Sequence, residues 1–124
     1  MRRRGKSAAS QRLLVVDGHG PSRIVMCLAL RTRGYACVQT ASESEAMDSI
    51  AAFRPTVILV DDSLGPDVPR RLRDHAKRFA ANVQLVSISV EDSPTAVDAD
   101  LCLTKPVDVP ALDRWLRRSR KNPV

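Results

Sequence analysis

Pro55-Thr56-Val57-Ile58-Leu59-Val60-Asp61 constrains the chain more than any other segment. A short run of consecutive β-branched and aliphatic residues, opened by proline and closed by an acid, reads as a strand covered on both faces. Strands of that kind belong to parallel sheets with helices above and below, so the rest of the chain has to supply more strands and the helices to flank them.

It does so in alternation. Leu13–Val16 is a second apolar run, and it stops at the turn formers Asp17-Gly18-His19-Gly20-Pro21. From Ser22 to Arg33 the residues Ile24, Val25, Leu28 and Leu30 fall near helical spacing, with Gly34 as the stop. Tyr35–Thr40 reads as a strand. Ser42 followed three residues later by Glu45 is a capping box ahead of Ala46, Met47, Ile50 and Phe53. After the Gly65-Pro66 turn, Val68, Leu72, His75 or Ala76, and Phe79 mark a third helix with basic residues on its outer side. Val83–Val90 and Leu101–Thr104 are the fourth and fifth strands, and Asp108 caps a last helix lined by Val109, Leu112, Trp115 and Leu116. Only 11 residues, Val90 to Asp100 with Pro94 among them, join the last two strands. A crossover that short leaves the fourth helix shortened or missing. The expected architecture is a five-stranded, parallel, doubly wound α/β sheet.

Composition narrows the function classes. The longest aliphatic runs are four residues, against the ~20 of a membrane-spanning helix, and the basic start leads into polar residues rather than an export signal's apolar stretch. A cytoplasmic protein is expected. Cys27, Cys37 and Cys102 form no C-x-x-C pair and read as small core residues. His19 and His75 have no zinc-ligand spacing. Met26, Met47 and Trp115 read as core or edge packing. The net charge of +6 comes from the ends: residues 1–12 and 114–124 each carry five Lys/Arg and no acid, while the 101 between them hold 10 basic and 14 acidic residues. We expect a basic tail at 1–12, a domain at 13–118 and a second basic tail at 119–124. Four aromatics leave little for stacking on single-stranded nucleic acid, which is not an expected partner.

In a parallel sheet, sites lie outside the carboxyl ends of the strands. The residues there are Asp17, Asp61-Asp62, Ser89 and Lys105. Carboxylates suit a magnesium ion, which prefers hard oxygen ligands, and a strand-end aspartate can act as nucleophile toward a phosphoryl group. An ammonium and a hydroxyl meet the charge of the transferred group. No G-x-x-x-x-G-K-[ST] loop is present, and beyond the rim nothing supplies a general base or substrate pocket, so an enzyme is not expected.

Leu-Val-Val-Asp17, Pro55-(x)5-Asp61-x-x-Leu64, Ser89 and Leu103-Thr104-Lys105-Pro106, in this order, resemble the CheY-like receiver domain of bacterial response regulators, over roughly Leu13 to Arg118. The resemblance implies a stand-alone receiver in a two-component phosphorelay. Asp61 would be the phosphoacceptor, Ser89 the switch hydroxyl and Lys105 the phosphate-pairing lysine. Asp17, Asp61 and the Ser63 carbonyl would hold magnesium. The implied partners are a histidine kinase or phosphotransfer protein and a downstream protein target, and the implied Lys105-Pro106 bond is cis. Gly18 stands where the family has a second, metal-binding acid, so a weakened magnesium site is expected; Asp62 is a candidate to compensate for it. Cys102 stands where the family commonly has an aromatic. Two alternatives follow: an atypical receiver that binds proteins without phosphorylation, and a module using its basic ends on nucleic acid or an anionic surface.

Overall fold

The structure, a computed structural model, describes residues 11–90 and 98–121. Five parallel strands form one sheet: β1 (Arg12–Val16), β2 (Ala36–Thr40), β3 (Val57–Asp61), β4 (Gln84–Ser89) and β5 (Leu101–Thr104), in the order β2-β1-β3-β4-β5. Among the described residues four helices flank it: α1 (Gly20–Thr32), α2 (Glu43–Phe53), α3 (Val68–Ala76) and α4 (Val109–Lys121). The doubly wound architecture is the expected one. Between β4 and β5 no helix occurs among the described residues; 91–97 lie outside them.

The central position of β3 follows from its sequence. All five of its residues are buried, because the pleat sends Val57 and Leu59 into one core and Ile58 and Val60 into the other. The first core lies under α1 and α4 and includes Leu30, Leu112 and Leu116; the second lies under α2 and α3 and includes Ile50 and Leu72. Burying each such side chain contributes about 1.5–3 kcal/mol.

The sequence signals for helix starts hold. Ser42 Oγ accepts from the Glu45 amide at 3.2 Å, and Glu45 Oε1 reaches back to the Ala41 amide at 2.9 Å, one residue before the cap. Asp108 Oδ1 accepts from the Ala111 amide at 3.0 Å at the start of α4. Lys105-Pro106 is a cis peptide.

Several expectations are corrected. On α1 the buried residues are Met26, Cys27 and Leu30, while Ile24, Val25 and Leu28 are exposed. Met26 and Cys27 stand four and three residues before Leu30, so the three share the face toward the sheet, while Ile24, Val25 and Leu28 are turned outward. Cys102 is exposed rather than core. It pairs in register with Ser87, as Thr104 does with Ser89, so the β4–β5 face over which no described helix lies carries small and polar side chains at these positions. The chain start is also less of a tail than expected. Buried Gln11 donates to the Leu116 carbonyl at 2.8 Å and accepts from the Thr56 hydroxyl at 3.0 Å, and Arg12 opens β1. At the other end α4 runs on to Lys121. Residues 1–10 and 122–124, the rest of the expected tails, lie outside the described residues. Tyr35, Val83 and Val90 sit just outside their strands, and Phe79 lies beyond the end of α3.

Candidate functional site

Asp17, Asp61 and Lys105 follow the carboxyl ends of β1, β3 and β5 or close them, and pleat phase decides where their side chains go. Asp61 alternates with Val60 and so shares a face with Val57 and Leu59; Asp17 and Lys105 are likewise in phase with Val15 and Leu103, residues of or against the same core. Three polar side chains are therefore delivered to one spot above that core. Lys105 Nζ lies 2.9 Å from Asp17 Oδ2 and 2.5 Å from Asp61 Oδ2. The other oxygen of each carboxylate is held by backbone: Asp17 Oδ1 accepts from the His19 amide, and Asp61 Oδ1 from the Ser63 amide, both at 2.9 Å.

The electrostatics follow from burial. Both aspartates are buried and Lys105 is mostly so. Burial alone raises the Asp61 carboxyl, but the Lys105 ammonium and the Ser63 donors outweigh it and hold the group below the usual carboxylate range. For Lys105 burial acts downward, and the two carboxylates outweigh it, so its ammonium loses its proton less readily than an exposed lysine's. In formal charges, two carboxylates against one ammonium leave the cluster one net negative charge.

Ser89 is buried at the end of β4, and its carbonyl accepts from the Lys105 amide at 2.8 Å. Its register partner is Thr104, which places it in phase with Ser87 rather than with the Asp61–Ile88 pair. Ser63 lies in the single 3-10 turn Asp62–Leu64, and Gly65 closes that turn at φ 137°, a conformation that favours glycine. Asp62 opens the same turn and is half-buried.

Two carboxylates held this close are oxygen donors of the kind that suit a hard divalent cation. Among the described residues no group of three or more His, Cys, Asp or Glu side chains converges. At Gly18, where the resemblance would place a further acid, a β-carbon would meet Leu64 Cδ2 at 3.6 Å and the Ala41 carbonyl at 3.7 Å, ordinary contacts, so the position has room for a side chain.

One feature was not legible in the sequence. A cavity of about 410 Å³ opens beside the cluster, lined by apolar residues of α1, the strand ends and the segment after Lys105. Its residues are scattered from Val15 to Val109, with no local pattern to reveal it.

No protein-family model matches the chain. Its fold does match solved structures. The response regulator receiver domain (CheY-like) from Methylobacillus flagellatus superimposes with a TM-score of 0.77 at 19% identity, over 89% of this chain and 98% of that one. The chain has the receiver fold. A response regulator from Burkholderia pseudomallei, solved with a phosphorylated aspartic acid, a calcium ion and citrate, gives 0.74 at 24% identity over 91% and 70%. The receiver domain of a Saccharomyces cerevisiae response regulator, solved with a histidine phosphotransfer signaling protein, gives 0.73 at 20% over 86% of each chain. In sequence, the chain is 31% identical over 102 residues to the phosphate regulon transcriptional regulatory protein PhoB of Pseudomonas aeruginosa. That match takes in 76% of this chain, and the chain spans under half, 44%, of PhoB's length. Among the described residues no helix is long and apolar enough to cross a membrane.

Proposed function

We propose that this receiver fold serves a phosphorelay, with Asp61 as the phosphoacceptor. The observation that carries the reading is the shared ammonium: Lys105 bridges Asp17 and Asp61 at the strand ends, where a receiver collects a phosphoryl group. In the proposed step a carboxylate oxygen of Asp61 attacks phosphorus. A new P–O bond forms, the bond from phosphorus to the donor breaks, and the donor leaves with that electron pair. Lys105 remains beside the acyl phosphate and offsets its charge, and Ser89, at the end of β4, keeps only the switch role that the resemblance implies, since its pleat phase differs from that of Asp61. Asp17, Asp61 and the Ser63 carbonyl would hold magnesium, which lowers the repulsion between the incoming phosphoryl oxygens and the carboxylates.

The proposed partners are a cytoplasmic histidine kinase or phosphotransfer protein and a downstream protein target. The pairing of a yeast receiver with a phosphotransfer protein and the phosphorylated aspartate of the Burkholderia protein support this. The protein would accept a phosphoryl group and signal through protein partners rather than turn over a small substrate. Gly18 supports a second reading, an atypical receiver that binds proteins without phosphorylation, because the third carboxylate is absent.

Intact mass after incubation with magnesium and acetyl phosphate separates the two. One phosphoryl adduct on the wild type and none on Asp61→Asn supports phosphorelay chemistry. No adduct, with an active receiver labelled in the same buffer, refutes small-donor phosphorylation and favours the second reading.

A further inference from the structure

The cavity beside the cluster has the character of a ligand site. At about 410 Å³ it has room for roughly a dozen heavy atoms, taking ~30 Å³ for a water-sized group. Val15, Leu59 and Ile88 form its sheet side, Met26 lines the α1 side, and Val107 lines the segment after Lys105. Small-molecule pockets combine such walls with a few placed polar groups. Two exposed valines mark its mouth: Val25 is 66% and Val90 68% accessible, both among the large apolar side chains that the fold leaves to water.

The polar groups select the ligand's charge. Asp17, Asp61 and Lys105 all line the cavity, and two carboxylates against one ammonium leave a net negative charge at its polar end. An anion placed there meets repulsion, a neutral group finds acceptors, and a cation completes the charge balance. We propose that this cavity binds a small organic cation, an apolar body carrying one ammonium group, with the body against Val15, Met26 and Leu59 and the ammonium against Asp17 and Asp61. This goes beyond phosphoryl transfer and does not depend on it. Such a ligand occupies the carboxylates by charge and shape alone, with no covalent step.

The test uses the full chain in metal-free buffer without phosphodonor, so a failure of Asp61 to accept a phosphoryl group leaves the result untouched. Calorimetry compares n-octylamine, n-octanol and octanoate, each kept monomeric. We expect saturable octylamine binding, octanol weaker by about tenfold, and no octanoate binding. Val25→Arg places a cation at the mouth on an exposed helical position; it should weaken octylamine by about tenfold or more while the melting temperature stays the same. The proposal is overturned by an absence of saturable octylamine binding, by octanoate binding as tightly as the amine, or by an unchanged affinity in folded Val25→Arg.

Discussion

Gly18→Asp is the perturbation whose outcome is most closely set by the structure. Gly18 is exposed and lies outside the left-handed region, and a β-carbon there meets its neighbours only at 3.6 and 3.7 Å, so the substitution asks for no backbone change. It adds a carboxylate beside Asp17. Two unit charges 4 Å apart gain about 1 kcal/mol at the dielectric of bulk water, so a doubly charged cation gains about 2 kcal/mol from the new group. That corresponds to roughly 30-fold tighter magnesium binding. The same arithmetic gives the cost without metal. The Asp17–Lys105–Asp61 cluster carries one net negative charge, and a further carboxylate near it costs about 1 kcal/mol. In a domain of this size that lowers the melting temperature by about 4 °C. Calorimetric titration with magnesium reads the first effect, and thermal unfolding with and without magnesium reads the second. A folded Gly18→Asp protein whose magnesium affinity stays within about threefold of wild type refutes the reasoning that position 18 is what weakens the site.

Three further outcomes follow from the same contacts. Lys105→Met removes the cation shared by two buried carboxylates and should destabilise the fold by about 3 kcal/mol at neutral pH, read by urea denaturation; a loss below ~0.5 kcal/mol would show the pair to be solvated like a surface bridge. Stability should form a plateau in pH. Asp61 is held below its ordinary value, so its contribution is present above about pH 4 and is lost as pH falls through the lower, folded value. Lys105 and Tyr35 are both raised, the latter by burial and by Asp113, so their contributions are present below about pH 10 and are lost as pH rises through the folded values. Melting temperature against pH checks this, and Asp61→Asn should flatten the acid limb; an acid limb unchanged in that variant contradicts the assignment. Tyr35→Phe deletes the phenol's 2.5 Å bond to Asp113, which Arg33 and Arg117 still hold, and should cost about 1–2 kcal/mol in denaturant; no measurable loss would mean the bond is matched by water in the unfolded chain.

The sheet was legible because its strands announce themselves. Val57–Val60 has no polar residue to place in solvent, Asp17 and Asp61 each directly follow an apolar run, and Lys105 follows Leu101–Thr104 at the end of the last strand. Asp17, Asp61 and Lys105 therefore reach one rim by topology and one face by pleat, both readable from residue order. What sequence does not carry is phase where apolar residues are abundant. On α1 seven of the ten residues from Ile24 to Arg33 are apolar, so more than one stripe fits the helical period, and the sheet selects Met26, Cys27 and Leu30 over Ile24, Val25 and Leu28. Cys102 was misplaced for a related reason: leucines on either side of it suggest a core, but the register puts it on the face where no described helix lies. Gln11 reads as tail, and its role depends on Thr56 and on Leu116, 105 residues away.

The central claim is that Asp61, rather than a neighbouring acid, takes the phosphoryl group. Its most direct test is peptide mapping after treatment with acetyl phosphate and magnesium, followed by borohydride, which reduces an aspartyl phosphate to homoserine. Homoserine at position 61, absent when phosphodonor is omitted, is the predicted result. Homoserine at 17 or 62, or an intact Asp61 in every peptide while a control receiver is converted, would contradict it.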